Sequence, residues 1–241
     1  MDTIIHRAES RGFADYGWLQ TKYSFSFARY YNPDRMGFGL LRVLNDDIIA
    51  PGKGFGTHPH DNMEIITIPL SGALEHEDSG GHKQSIHSDE VQIMSAGSGV
   101  THSEYNHSRD EDVSLLQIWI LPDKKNINPR YDQMKFDPST SRNRILTLVS
   151  PDKSPDTLWI NQNARISRVT LDPVNAIVYE AMGTDRAVYL FVIDGNIEIN
   201  SMALKPRDGI GIKESSKVEF HAQAESDILI IDVPDMTGLS E

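Results

Sequence analysis

Apolar and polar positions follow each other in short runs along this 241-residue chain, and the runs end at glycine, proline, asparagine or aspartate. The runs recur roughly every ten residues, a spacing typical of short strands joined by tight turns. They include FGLLRVLND, MEIITIPLSG, EVQIMSAG, VSLLQIWILP, AVYLFVIDG, KVEFHA and DILIIDVP. The 3.6-residue period of an amphipathic helix is hard to find anywhere. The pattern therefore predicts an all-β protein, either a barrel or a sandwich.

One polar, proline-punctuated segment divides the chain into a longer first part and a shorter second part. It runs from Asp123 to Arg144 and carries no strand pattern, so we interpret it as a linker. The sequence thus predicts two domains, residues 1–138 and residues 139–241.

The two parts share a faint internal repeat. IITIPLSGALEHE aligns with VYLFVIDGNIEIN when Gly72 is set on Gly195, an apolar strand followed by a turn glycine and an alternating strand. DEVQIMSAGSGVTHSE aligns with DGIGIKESSKVEFHAQ when Asp89 is set on Asp208. Two similar barrels in tandem are the simplest explanation.

Composition narrows the range of partners. The chain is 39% hydrophobic and 24% charged, which is typical of a globular protein. Its net charge of −12 opposes approach to nucleic acid or to an anionic membrane, so we expect no direct nucleic-acid partner and no membrane partner. The opening residues, MDTIIHRAESRG, lack the apolar run of a signal peptide, and we expect a cytoplasmic protein. Because cysteine is absent, a metal would have to be held by histidine and carboxylate.

Two tight clusters concentrate the candidate chemistry. GFGTHPHDNMEI contains His58 and His60, and GSGVTHSEYN contains His102 and Glu104. In a strand, residues i and i+2 project from the same face, so each pair forms a two-pronged claw. If the two strands are neighbours, three imidazoles and one carboxylate converge. That ligand set suits Fe(II), Mn, Co, Ni, Cu or Zn, and on an octahedral metal it leaves two positions for substrate and O2.

Other interpretations of these segments are less favoured. A His-x-His pair also occurs on solvated strand faces, and a lone His102 is compatible with a hydrogen-bonded core histidine. Glycine-rich turns before both clusters favour strands that bend into a barrel mouth. PGKGFG lacks the Gly-Lys-Ser/Thr of a phosphate loop, and Ser98 in AGSGV lacks the spacing of a nucleophile elbow.

The amino-acid sequence around the two clusters resembles that of one known family. The first cluster fits a cupin motif and the second fits its partner motif, with Gly97 where that motif commonly has proline. Together with SFSFARYYNPDRMGFGLLRVLNDD, MSAGSGVTHSEYN and QIWILP followed by PRYDQ, they resemble the pirin family, particularly its bacterial members. The resemblance covers roughly the first 135 residues strongly and the rest weakly.

The resemblance implies a bicupin, two tandem jelly-roll β-barrels stacked face to face with metal only in the first. It implies one iron ion, most typically Fe(II), with Ni, Co, Mn, Cu and Zn as alternatives, held at His58, His60, His102 and Glu104. Glu64 is the ligand in the general cupin pattern, and we interpret it here as a residue that orients a ligand imidazole. In the second barrel, the repeat alignment places His221 at the position of His102.

The resemblance also implies an activity. Some pirin-like proteins resemble quercetin 2,3-dioxygenases, which open an aromatic flavonol with O2 and release carbon monoxide, and Glu104 is then a catalytic proton acceptor. Phe38 and Phe55 lie near the ligands in sequence and are candidates for an aromatic substrate pocket. The alternative is a metal- or redox-responsive regulator that binds a protein partner through its metal-bearing face.

Overall fold

The computed structural model describes residues 2–236, which form 22 strands and two short 3-10 helices. The strands of the first half are β1 Asp2–His6, β2 Gly12–Asp15, β3 Leu19–Tyr23, β4 Leu41–Ile49, β5 Gly54–His60, β6 Glu64–Ser71, β7 Ala73–Asp78, β8 Lys83–His87, β9 Glu90–Ser95, β10 Val100–Asn106, β11 Val113–Ile120 and β12 Arg130–Lys135. Those of the second half are β13 Leu146–Ser150, β14 Leu158–Trp159, β15 Arg165–Leu171, β16 Ala176–Glu180, β17 Arg186–Asp194, β18 Ile197–Ile199, β19 Met202–Leu204, β20 Gly209–Lys213, β21 Lys217–Ala222 and β22 Ser226–Pro234. The 3-10 helices are Ala8–Ser10 and Pro138–Ser141. Within this described part, no helix is long and apolar enough to cross a membrane.

The strands form two barrels, each made of one large and one small sheet. In the first barrel, a seven-stranded sheet in the order β12-β9-β6-β11-β4-β3-β2 faces a four-stranded sheet in the order β5-β10-β7-β8. In the second barrel, the orders are β1-β20-β17-β22-β15-β13-β14 and β16-β21-β18-β19. The central strands of the first large sheet, β9-β6-β11-β4, correspond in order to β20-β17-β22-β15 of the second. The strands of the two small sheets also correspond in order. The all-β prediction of tandem cupin barrels is therefore confirmed.

The first strand of the chain belongs to the second barrel. β1 pairs antiparallel with β20, at the sheet edge where β12 pairs with β9 in the first barrel. The N-terminal strand thus crosses from the first domain into the sheet of the second. The division of the chain between residues 138 and 139 stays a prediction. β1 belongs to the first domain by that division but to the second barrel by its strand pairing.

The predicted linker contains a strand that the sequence pattern does not show. β12, Arg130–Lys135, lies inside the Asp123–Arg144 segment and pairs along its whole length with β9. Its side chains are mostly half-buried rather than alternately buried and exposed. Main-chain hydrogen bonding to the free edge of β9, rather than an apolar face, makes this segment a strand, so the linker interpretation was wrong there.

The two large sheets pack against each other and form the main core. Tyr189 and Phe191 of β17 face this inter-barrel core, whereas Val188, Leu190 and Val192 face the interior of the second barrel. Burial on both faces explains why AVYLFVID reads as a continuous apolar run. The interior of the second barrel is apolar throughout its core cluster, whereas the interior of the first carries polar side chains.

Candidate metal centre

The first barrel places both histidine clusters on neighbouring strands. β5 carries His58 and His60, β10 carries His102 and Glu104, and the two strands pair antiparallel with His102 opposite His58. β5 is the edge strand of its sheet, which accommodates Pro59 because an edge strand has free positions in its hydrogen-bond ladder. The alternation along the two strands brings ring nitrogens of His58, His60 and His102 within 4.8 Å of one another.

Three imidazole rings meet at this point. The ring centroids of His58 and His102 are 4.5 Å apart, and His60 lies 4.8 Å from each of them. The Nε2 atoms of His58 and His102 are 3.0 Å apart. The Nδ1 atom of His58 donates a hydrogen bond to the Gly56 carbonyl at 2.9 Å. In a neutral His58, Nε2 therefore carries a lone pair that points at His102.

The surroundings of these imidazole rings favour the neutral form, which is the form that binds a cation. Burial, together with the neighbouring imidazoles, lowers the pKa of His60 to about 4 and that of His102 to about 3. Both rings are thus neutral near pH 7, the form that metals bind. Two nitrogens each about 2.1 Å from one cation, at a right angle, lie about 3.0 Å apart. The separation of the His58 and His102 Nε2 atoms fits that arrangement.

Glu104 supplies a carboxylate beside the imidazoles. A register shift in the β5–β10 pair, with the extra residue in β5, lies between the positions of His102 and Glu104, and a side chain at Gly54 would overlap the Glu104 main-chain oxygen. Its Oε2 accepts a hydrogen bond from Gln117 Nε2 at 2.9 Å, and Gln117 Oε1 accepts one from Trp119 Nε1 at 3.2 Å. Its Oε1 is buried and has no hydrogen-bond partner among the described residues. Its ligand oxygen lies within 4.8 Å of ring nitrogens of His102 and His76, and a buried unpartnered carboxylate oxygen beside imidazoles fits a bound cation.

A cavity of about 450 Å³ opens in front of these side chains. Its walls are largely aromatic and include Trp18, Phe55 and Trp119, while its polar end includes Asp47 and Glu104. Burial raises the pKa of Asp47 to about 7, and Asp47 Oδ1 is buried without a hydrogen-bond partner in the described structure. The cavity thus joins an apolar slot to a group of unpartnered polar atoms.

Two residues singled out in the sequence lie elsewhere. Phe38 packs in the inter-barrel core, its ring centroid 5.8 Å from that of Tyr189, and it does not line the cavity that Phe55 lines. Proximity in sequence was misleading because Phe38 precedes β4 at the barrel junction. Glu64 is fully buried, and its Oε2 accepts hydrogen bonds from Ser95 Oγ at 2.8 Å and from the Asn161 main-chain N–H at 3.2 Å. These contacts tie Glu64 to the second barrel and give no support to its predicted role at a ligand imidazole.

The corresponding region of the second barrel is filled with apolar side chains. β16 and β21 stand where β5 and β10 stand in the first barrel, and Ile177 faces Phe220 across them. Tyr179, Val218 and Phe220 are buried there. His221 points outward, with 54% of its side chain exposed. The strand pairings place Val218 rather than His221 at the position of His102, so the alignment was wrong by three residues, and an odd-numbered slip moves a side chain to the opposite face of a strand.

Sequence reasoning missed several polar residues around the site. Asp47 comes from β4, where it ends a run of three polar residues, and Gln117 comes from β11, where it interrupts an apolar strand. His76 is fully buried, and its Nδ1 lies 3.4 Å from that of His102. The His76-x-Asp78 spacing, the same i, i+2 claw used for the ligands, was the available signal.

Comparison with known proteins agrees with this architecture. Family profiles match residues 5–120 as Pirin and residues 147–233 as "Quercetinase C-terminal cupin domain". Two stacked β-barrels with a histidine-rich centre in the first define the class of the molecule as a bicupin. A quercetin 2,3-dioxygenase of Escherichia coli (strain K12) is 42% identical over 230 residues, covering 95% of this chain and 98% of the relative. The chain belongs to the pirin family.

Two further similarities extend over nearly the whole chain. A pirin-like protein of Caulobacter vibrioides is 40% identical, covering 92% of this chain and 95% of the relative. The crystal structure of the bacterial pirin YhhW from Escherichia coli in complex with nickel(II) superposes on this structure with a TM-score of 0.92 at 40% identity. The superposition covers 98% of this chain and 100% of the YhhW chain. A divalent cation is thus held by a pirin of the same fold.

Proposed function

We propose that this protein is a metal-dependent dioxygenase that opens the ring of a quercetin-like flavonol with O2 and releases carbon monoxide. The observation that carries the proposal is the cavity, in which aromatic walls lead to unpartnered buried polar atoms beside three convergent imidazoles. A flat polyhydroxylated aromatic ring matches both parts of that cavity. The name of the Escherichia coli relative, quercetin 2,3-dioxygenase, supports the same substrate class.

Four side chains are proposed to hold one divalent cation: His58, His60, His102 and Glu104. Fe(II) is the proposed native metal, and Ni, Co, Mn, Cu and Zn are the alternatives that this nitrogen and oxygen ligand set also accepts. When bound, such a cation lowers the pKa of a coordinated hydroxyl and brings substrate and O2 together. The nickel(II) complex of the related pirin supports a divalent cation and leaves iron as a proposal.

Glu104 is the proposed catalytic proton acceptor. Its Oε2 is held by Gln117, so Oε1 is the oxygen left for both proposed roles, as a ligand of the cation and as the acceptor of the flavonol hydroxyl proton. Since Trp119 in turn holds the Gln117 amide, the carboxylate has one fixed orientation. Asp47, whose pKa is raised to about 7, is partly protonated at neutral pH and in that form donates a hydrogen bond to a substrate oxygen.

The cavity walls orient the ring and exclude water. Trp18 and Phe55 pack edge to face, with ring centroids 5.2 Å apart, on one side of the opening. Trp119 stands edge-on to His60 at 5.0 Å on another side. A planar substrate stacked against these rings presents its hydroxyl-bearing edge to Glu104.

Turnover of quercetin tests the proposal. The protein, loaded with Fe(II) under argon and then mixed with quercetin and air, is expected to bleach the flavonol and to yield one carbon monoxide per molecule consumed. His102→Ala should abolish both signals, whereas His221→Ala, an exposed histidine of the second barrel, should keep them. A folded, metal-bound protein that leaves quercetin intact would contradict the proposal and favour the regulatory alternative, in which a protein partner binds the metal-bearing face.

A further inference from the structure

Strand β7 brings a second histidine and an aspartate behind the proposed ligand His102. β7 pairs with β10 on the side away from β5, with His76 opposite Glu104 and Asp78 opposite His102. The Nδ1 atoms of His76 and His102 form a long hydrogen bond of 3.4 Å, and His76 Nε2 lies 3.1 Å from Asp78 Oδ2. The side chains of His76 and Asp78 are 0% and 2% exposed, so this chain of contacts is shielded from solvent.

Asp78 is fixed by donors on both of its oxygens. Its Oδ1 accepts the main-chain N–H groups of Gly80 at 2.8 Å and His82 at 3.1 Å, while its Oδ2 faces His76. The His82 ring Nδ1 lies 3.0 Å from each oxygen. Although burial favours the neutral acid, hydrogen bonds from His76 and His82 hold the pKa of Asp78 below its ordinary value. Asp78 is therefore a carboxylate that only accepts hydrogen bonds.

The acceptor Asp78 sets the tautomer of each ring in turn. Because a carboxylate cannot donate, His76 carries its proton on Nε2, and in the neutral ring Nδ1 is then an acceptor. Nδ1 of His102 must be the donor of the bond between the two rings. His102 consequently has a bare Nε2, the atom that faces His58 Nε2 at 3.0 Å.

We propose that Asp78 and His76 are positioning residues that hold His102 as its Nδ1–H tautomer, with Nε2 free for the divalent cation. This inference rests on the metal centre of the proposed function and not on flavonol turnover. Asp78, His76 and His102 together form what we call the relay. The ring of Tyr131 packs on His76 at 4.7 Å and stacks on His82 at 5.0 Å, which fixes the plane of this relay. Carboxylate–histidine contacts behind metal ligands generally contribute 10–100-fold to affinity or activity.

Nitrogen NMR of the unaltered protein tests the tautomers without any substitution. Two-bond proton–nitrogen couplings in metal-free protein should report Nδ1–H for His102 and Nε2–H for His76. In Zn(II)-loaded protein, used as a diamagnetic probe, Nε2 of His102 should shift as a metal-bound nitrogen and His76 Nδ1 should not. An Nε2–H tautomer of His102, or a zinc-bound His76, would overturn the proposal.

A pair of charge-matched variants tests the consequence for binding. In Asp78→Asn, the amide oxygen is expected to keep the two main-chain donors, so the amide N–H faces His76 and reverses both tautomers. Nickel(II) affinity, measured by competition with a chromogenic chelator, should fall about 10–100-fold. Glu77→Gln removes the same charge from the neighbouring residue, whose side chain is 60% exposed, and should leave the affinity unchanged.

The outcomes separate this inference from the metal centre itself. Unaltered protein that binds nickel(II), with Asp78→Asn equally tight, would overturn the relay alone. Failure of the unaltered protein to bind nickel(II) or Zn(II) would overturn the metal centre and the relay together. If Asp78→Asn does not fold, the tautomers of the unaltered protein still decide the matter.

Discussion

The Nε2 atoms of His58 and His102 face each other at 3.0 Å across the β5–β10 pair. In the tautomers proposed above, both of these atoms carry lone pairs, which repel each other at that distance unless a cation lies near both. The geometry therefore makes the folded state depend on what occupies the site, and binding of a cation to the folded form stabilises it by mass action.

Metal-dependent stability follows from this relationship. At a free nickel(II) concentration 100 times the dissociation constant, the free energy of unfolding should rise by about 2.7 kcal/mol. His58→Ala should lose this gain because one of three converging imidazoles is gone, whereas His221→Ala should retain it. Urea unfolding with and without nickel(II) measures the difference. Equal stabilisation of all three proteins would place the cation elsewhere.

Gln117 is expected to matter for turnover through Glu104. Gln117→Leu keeps the volume but removes the donor to Glu104 Oε2, so kcat for quercetin should fall about 10–100-fold. Trp119→Phe removes only the donor to Gln117 and keeps a ring against His60, so its effect should be smaller. Steady-state kinetics at equal metal content make the comparison. A larger loss in Trp119→Phe than in Gln117→Leu would contradict this chain of contacts.

The two phenylalanines should respond in opposite ways. Phe55→Ala removes a cavity wall, so KM for quercetin should rise while the protein stays folded. Phe38→Ala opens a hole in the inter-barrel core and should lower the free energy of unfolding by about 3–5 kcal/mol. Unfolding curves and KM values for both variants check the contrast. A raised KM in a stably folded Phe38→Ala would return Phe38 to the substrate pocket.

Glu64 gives the stability a definite pH dependence. Burial raises its pKa from 4.5 to about 7 in the folded protein, so between these values the folded state binds more protons than the unfolded state. Its contribution to stability is therefore present below pH 4.5 and is lost as the pH rises through 7, by about 3 kcal/mol in total. Glu64→Gln cannot ionise and should gain stability relative to the unaltered protein between pH 5 and pH 8. A pH-independent difference between their unfolding free energies would contradict this assignment.

Local sequence was sufficient wherever strand alternation fixed the answer. His58 with His60, and His102 with Glu104, share a face because residues i and i+2 always do. The structure places His58, His60 and Glu104 in the lining of one cavity and groups His102 with the other two histidines. That information lies within three residues of sequence. The ligand roles themselves stay a prediction, since geometry supplies the arrangement and not the metal.

The register in which the strands pair could not be predicted from the sequence. Asp47 and Gln117 come from different strands and meet the cavity only because β4 pairs with β11 in one particular register. The outward direction of the His221 side chain depends in the same way on the register of β21. β1 and β12 are strands because they form main-chain hydrogen bonds with free sheet edges. This cause does not produce a local apolar pattern in the sequence.

Anomalous diffraction from crystals of the nickel(II)-loaded protein tests the central claim most directly. Data collected on both sides of the nickel absorption edge locate the cation without reference to activity. The account predicts one peak in the first barrel, about 2.0–2.2 Å from a nitrogen of His58, His60 and His102 and from an oxygen of Glu104. A peak in the second barrel, or one on the surface away from these side chains, would contradict it.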